Sequence, residues 1–67
     1  MRAQLESLVK ELVAKGVYYE DARKEFERRY IEQALHKAEG SISGAAALMG
    51  VHRNTLTRKI AEYKVKA

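Results

Sequence analysis

Residues 41–63 read SISGAAALMGVHRNTLTRKIAEY, and the reading of this stretch decides the fold. Ser41 can cap a short helix that starts at Ile42, with Ser43 as the other candidate cap. Ala45, Ala46 and Ala47 give that helix a thin surface, and Gly50 interrupts it. A longer helix is predicted from His52 or Arg53 to about Tyr63, with Leu56, Ile60 and Tyr63 on its inner face at i, i+4 and i+7. A short helix, a three-residue break and a longer helix form the pattern of a helix-turn-helix. Two helices that cross steeply must approach closely at the turn. Ala45 and Ala46 provide that clearance, and a bulky residue at Ala46 would push the helices apart. The turn needs one residue with positive φ, which Gly50 supplies without steric penalty. Met49, Val51 and Leu56 are then expected to point inward from either side and fill the wedge.

The outward face of the longer helix has a distinct chemistry. His52, Arg53, Asn54, Thr55, Thr57, Arg58 and Lys59 are all polar, and no acid occurs between residues 40 and 61. Arg53 can pair with the O6 and N7 edges of guanine, Asn54 with adenine, and Thr57 can bond a base edge or touch a thymine methyl. Thr55, Arg58 and Lys59 suit phosphates, which hold a protein in register without reading sequence. Ser41 and Ser43 open the preceding helix, where amide groups and partial positive charge favour a phosphate. Lys64 joins this expected phosphate set just beyond the last helix.

Charge placement agrees with that division. Residues 1–40 carry eight basic and eight acidic groups, whereas residues 41–67 carry five basic groups against Glu62 alone. The net charge of +4 therefore sits in the last third of the chain, as expected for a neutral scaffold joined to a polyanion-binding unit.

The scaffold reads as two helices. Over residues 2–15, Leu5, Leu8, Val9, Leu12 and Val13 fall at i, i+3, i+4, i+7 and i+8, and Gly16 stands where a left-handed cap is expected. A second helix is predicted over residues 19–39, opened by Glu20 and Asp21 and ended by Gly40. Its stripe turns along its length. Tyr19, Ala22 and Phe26 face one way; Tyr30, Ile31, Ala34, Leu35 and Ala38 spread over a broader arc. The front is expected to dock on the first helix and on a partner chain, and the back to support the segment beyond residue 40. Residues 64–67 are expected to be a frayed basic tail.

Length sharpens the expectation of a partner. A chain of 67 residues is one domain at most and buries only about 60% of the surface that its unfolded form exposes. Small domains usually need a disulfide, a metal or a second subunit. There is no Cys, and His36 and His52 do not have metal-ligand spacing, so no cofactor is expected and oligomerisation is left. No apolar run approaches the roughly 20 residues of a membrane span, and no signal peptide opens the chain. A cytoplasmic protein is expected. No nucleophile–base pair stands out, so an enzyme is not. Tyr18, Tyr19, Tyr30 and Tyr63 are read as half-buried packing residues with wet hydroxyls, and His36 as a solvent-facing or boundary residue.

Residues 26–63, FERRYIEQALHKAEGSISGAAALMGVHRNTLTRKIAEY, resemble the Fis-type helix-turn-helix. The most specific parts are Ala45-Ala46, Leu48-Met49-Gly50-Val51, Arg53, Thr55-Leu56 and Arg58-Lys59-Ile60. The run FERRYIEQAL is more similar to the version at the C-terminus of NtrC-type activators of sigma-54 promoters than to the nucleoid protein. The resemblance implies an all-α, four-helix homodimer, intertwined through the first two helices of each chain. Residues 1–40 would form the dimerisation helices, with Leu5, Leu8, Val9, Leu12, Val13 and Phe26 at the interface. Residues 41–63 would be the DNA-reading unit, and residues 64–67 the tail. The two recognition helices would enter successive major grooves of double-stranded DNA. Arg53 would be the main base contact, tuned by His52, Asn54 and Thr57, with Ser41, Ser43, Thr55, Arg58 and Lys59 on the backbone. Two departures stand out: Ser41 where the family often has Asn, and His52 where Ser or Asn usually caps the recognition helix. Within this reading the chain is either a free-standing Fis-like protein or a piece of an activator whose ATPase domain lies elsewhere in a longer chain. The competing readings are a helical interaction module whose basic face binds an acidic partner, and a non-specific nucleoid-type DNA-bending protein.

Overall fold

The computed structural model describes residues 1–66. Its four helices are, in chain order, α1 (Arg2–Ala14), α2 (Tyr19–Lys37), α3 (Ile42–Met49) and α4 (Arg53–Tyr63). The described residues contain no strand. Each helix lies within one or two residues of its predicted bounds.

All four helices stop in the same way. After each, the chain turns through a left-handed residue, followed after α2 by a second at Gly40, and two backbone N–H groups fold back onto the last turn. After α3, Gly50 has φ 71°, its N–H donates to the Ala47 carbonyl at 3.2 Å, and the Val51 N–H donates to that of Ala46 at 3.0 Å. Gly16 does the same after α1. At the other two helix ends the left-handed residue that closes the turn carries a side chain: Glu39 and Lys64, both at φ 54°. The sequence pattern puts the end of α2 at Gly40, but the ring closes one residue earlier. The Gly40 N–H reaches back to the Leu35 carbonyl at 2.9 Å, which places Glu39 in the left-handed position.

The core lies in the second half. Ile31, Ala34 and Leu35 from α2, Ala45 and Ala46 from α3, Leu56 from α4 and Val65 beyond it are buried; Ala38, Ile42, Met49, Ile60 and Tyr63 pack around them. Ile31 and Leu56 are the largest side chains shut off completely from solvent. Burying each contributes about 1.5–3 kcal/mol. The alanine clearance works as read from the sequence: at 0% and 3% exposure, Ala45 and Ala46 let α3 lie between α2 and α4.

Two expectations are corrected here. Residue Val65 does not fray. Its N–H donates to the Ile60 carbonyl at 3.0 Å, and the left-handed turn at Lys64 swings its side chain into the core. Ala67 lies outside the described residues. Val51 does not fill the wedge: it is 36% exposed, because its backbone is used to close the end of α3. Met49 and Leu56 do face inward, Met49 partly and Leu56 fully.

The first half is open. α1 contributes no buried residue. Its stripe residues Leu5, Leu8, Val9 and Val13 are all exposed, as are Tyr19 and Phe26 on the front of α2. The expected closure of that front by α1 is therefore incomplete. A two-helix hairpin has no further layer to cover its apolar side. Tyr18 and Tyr19, read as half-buried, extend into solvent because they sit at the turn where no other element reaches. The molecule measures 36 × 24 × 17 Å with a radius of gyration of 13.3 Å. A compact chain of this length would have about 11 Å.

Candidate nucleic-acid interface

The recognition helix is positioned at its start by an unusual cap. His52 has extended backbone angles, φ −70° and ψ 142°, and its Nδ1 accepts the Asn54 N–H at 3.0 Å. Histidine thus does here what Ser or Asn would do, satisfying an orphan donor of the first turn. An accepting Nδ1 requires the neutral ring with its proton on Nε2. At the start of α3, the Ser41 Oγ accepts the Gly44 N–H at 3.0 Å, so Ser41 rather than Ser43 is the cap. Gly44 belongs to this arrangement. A Cβ there would meet the Ala38 Cβ and the Ser41 Oγ, each at 3.2 Å.

With both caps in place, the predicted surface is largely presented. His52, Arg53, Asn54, Thr57 and Arg58 are exposed along one side of α4, and Thr55 is half-buried beside Leu56. Ser41 and Ser43 are exposed at the start of α3, and Lys64 beyond the end of α4. Neither Arg53 nor Arg58 has an ion-pair partner among the described residues, and both differ in this from the arginines of α1 and α2. Those helices neutralise themselves with pairs one turn apart: Arg2–Glu6, Lys15–Glu11, Arg23–Glu20, Arg28–Glu32 and Arg29–Glu25.

Lys59, expected on DNA phosphates, has a different setting from Arg53 and Arg58. It is half-buried, and its ammonium group donates to the Glu27 Oε1 on α2. The Glu27 Oε2 accepts the Tyr63 hydroxyl at 2.9 Å and the Arg23 Nη1 at 2.8 Å. Arg23 in turn forms a two-pronged contact with Glu20 at 3.0 and 3.1 Å. The Lys59 hydrogen bond holds the Glu27 carboxyl below its usual range, against the opposing effect of burial and with further help from Tyr63 and Arg23. Glu27 correspondingly raises the Lys59 ammonium. Burial, then the bond to Glu27, raises the Tyr63 phenol. Sequence reasoning missed Glu27. Its spacing advertises only Arg23, four residues earlier, while Lys59 and Tyr63 are 32 and 36 residues away.

Phe26, Tyr30, Ala34, Leu48 and Met49, with Arg29, Gln33 and Lys37, line an open groove of about 420 Å³ between α2 and α3, with the Phe26 and Tyr30 rings 5.8 Å apart. Among the described residues no cluster of His, Asp or Glu could hold a metal ion, and no helix is long and apolar enough to cross a membrane.

Comparison with known proteins fits this geometry. Residues 22–63 match the family described as "Bacterial regulatory protein, Fis family". A protein named "Putative Fis-like DNA-binding protein", from Xylella fastidiosa (strain Temecula1 / ATCC 700964), is 42% identical over 45 residues, covering 67% of this chain and 50% of that protein. The chain thus spans about half the length of that relative. No solved structure matches. The family match covers well over half of the chain and takes in α3, the Gly50 turn and α4: this chain belongs to the Fis family of bacterial regulatory proteins.

Proposed function

We propose that this chain binds double-stranded DNA sequence-specifically as a homodimer and serves transcription regulation, with α4 in the major groove. The single observation that carries the reading is the unpaired cationic and amide side of α4, where Arg53, Asn54, Thr57 and Arg58 are exposed and no acid competes. An ordinary solvated helix mixes both signs, as α2 does. The Fis-like relative is named as a DNA-binding protein, which supports the same partner.

In this reading Arg53 is the main base contact, and His52, Asn54 and Thr57 tune the site. With Nδ1 used by the cap, His52 offers DNA a donor at Nε2. Ser41, Ser43, Thr55, Arg58 and Lys64 track phosphates. The dimer rests on the apolar side that nothing covers. Leu5, Leu8, Val9, Val13 and Phe26 are exposed, and with Leu12 they form one continuous expectation for a partner's matching helices. A two-fold pair of α4 helices would then meet half-sites about 34 Å apart. The FERRYIEQAL run supports a place beside the ATPase domain of a sigma-54 activator.

Selection of binding sites from a random DNA pool tests this directly. A palindromic consensus is expected, with a large preference over random DNA that survives in high salt. Arg53→Ala should cost about 1–3 kcal/mol at one base pair and relax selection there. Recovery of no consensus, or an unchanged consensus with Arg53→Ala, overturns the reading.

A further inference from the structure

Building on the DNA-binding reading, we propose that Glu27 is a positioning residue that withdraws Lys59 from the phosphate contact and sets how α4 is presented. Lys59 comes directly after Arg58 on the recognition helix, where a free cation would count toward DNA affinity. Its side chain is only 32% exposed, and the Glu27 side chain that receives it only 20%. The carboxylate is fully engaged: Lys59 on one oxygen, Tyr63 and Arg23 on the other. Glu20, Arg23, Glu27 and Lys59 thus form a chain of alternating sign that crosses from α2 to α4 and sums to zero. Two of its bonds, from Lys59 and Tyr63, arise one turn apart on α4 and converge on a single α2 carboxylate. This fixes the rotation of the recognition helix about its own axis. A phosphate could take Lys59 only by leaving Glu27 without its strongest donor in a half-buried place. While it stays on Glu27, the ammonium neutralises no phosphate and displaces none of the cations condensed on DNA. Lys59 therefore adds nothing to the salt dependence that each neutralised phosphate contributes, about 0.9 in the slope of log K against log salt.

The test is the salt dependence of binding to random-sequence duplex DNA by the whole chain, with helix content checked by circular dichroism. Lys59→Gln in the native background should leave the slope unchanged. Glu27→Gln should steepen it by about 0.9, so that about three- to fourfold more affinity is lost between 50 and 200 mM salt. The double variant should return to the native slope. Glu25→Gln removes the same charge from α2 without touching α4 and should fall well short of that change. A fall of about one unit in slope with Lys59→Gln overturns the proposal, as does a native slope with Glu27→Gln. If Glu27→Gln does not fold, Lys59→Gln alone decides, since it keeps the bonds of Glu27 to Arg23 and Tyr63. Native protein that binds no DNA overturns the functional reading along with this one, whereas binding with a Lys59-dependent slope overturns this one only.

Discussion

Residues 1–30 and residues 31–65 are both helical, but they are held together by different forces. In the second stretch three helices and the return of Val65 share one core around Ile31 and Leu56. In the first, a regular amphipathic helix and the front of α2 carry leucines, valines and Phe26 that remain open to solvent. Their polar sides are tied by intrahelical ion pairs, which at such exposed sites contribute little. Hydrophobic patterning thus formed the elements in both regions, but only the second has elements enough to bury the pattern. The first region leaves its apolar stripe exposed, whereas the second encloses its own core beneath α4.

The largest effect that could break this contrast comes from equivalent truncations in the two regions. Leu56→Ala should cost about 2–5 kcal/mol at any protein concentration, because it opens a cavity in the enclosed core. If the proposed dimer buries Leu8, Leu8→Ala should do little in dilute solution and more as concentration rises. Thermal melts over a hundredfold range of concentration read both. A concentration-independent loss at Leu8 as large as that at Leu56 would mean that α1 has a core of its own.

His52→Ala sharpens the picture at the junction of α3 and α4. Losing the Nδ1 acceptor should cost about 1 kcal/mol, and His52→Ser should recover most of it. Equal melts for the Ala and Ser variants would deny the cap any part in stability.

The α2–α4 tie should leave a smaller mark, under about 1 kcal/mol for a partly exposed pair. The Glu27 carboxyl is held below its reference of 4.5, so the tie is fully present above that pH and is lost as pH falls through the lowered folded value. Lys59 is raised above 10.5, so at the alkaline end the tie is lost as pH rises through the folded value. Between those limits the contribution of the tie should be flat. Below them, Glu27→Gln should lose less than the native chain in melts from pH 7 to pH 3. A native-like acid loss in that variant would assign the effect to other carboxylates.

The smallest effect should be a gain. Lys64 holds a left-handed turn that costs a side chain about 1 kcal/mol. Lys64→Gly removes that strain but makes the unfolded chain more flexible, so a net stabilisation of roughly 0.5 kcal/mol is expected. A lower melting temperature would show that the stem of Lys64 packs usefully against its surroundings.

The four helices, Ser41 as a cap, the alanine clearance at Ala45 and Ala46, the turn at Gly50 and the polar side of α4 were all present in the residue order. These features depend on the 3.6-residue period and on bonds between neighbours in the chain, which the sequence displays directly. Tertiary structure alone decided the rest: Lys59 taken by Glu27, Val65 returned to the core, Val51 left at the rim, and the front of α2 uncovered by α1. Each depends on where one helix crosses another or on how a chain end folds back. A carboxylate 32 residues away leaves no periodic trace of which cation it will meet.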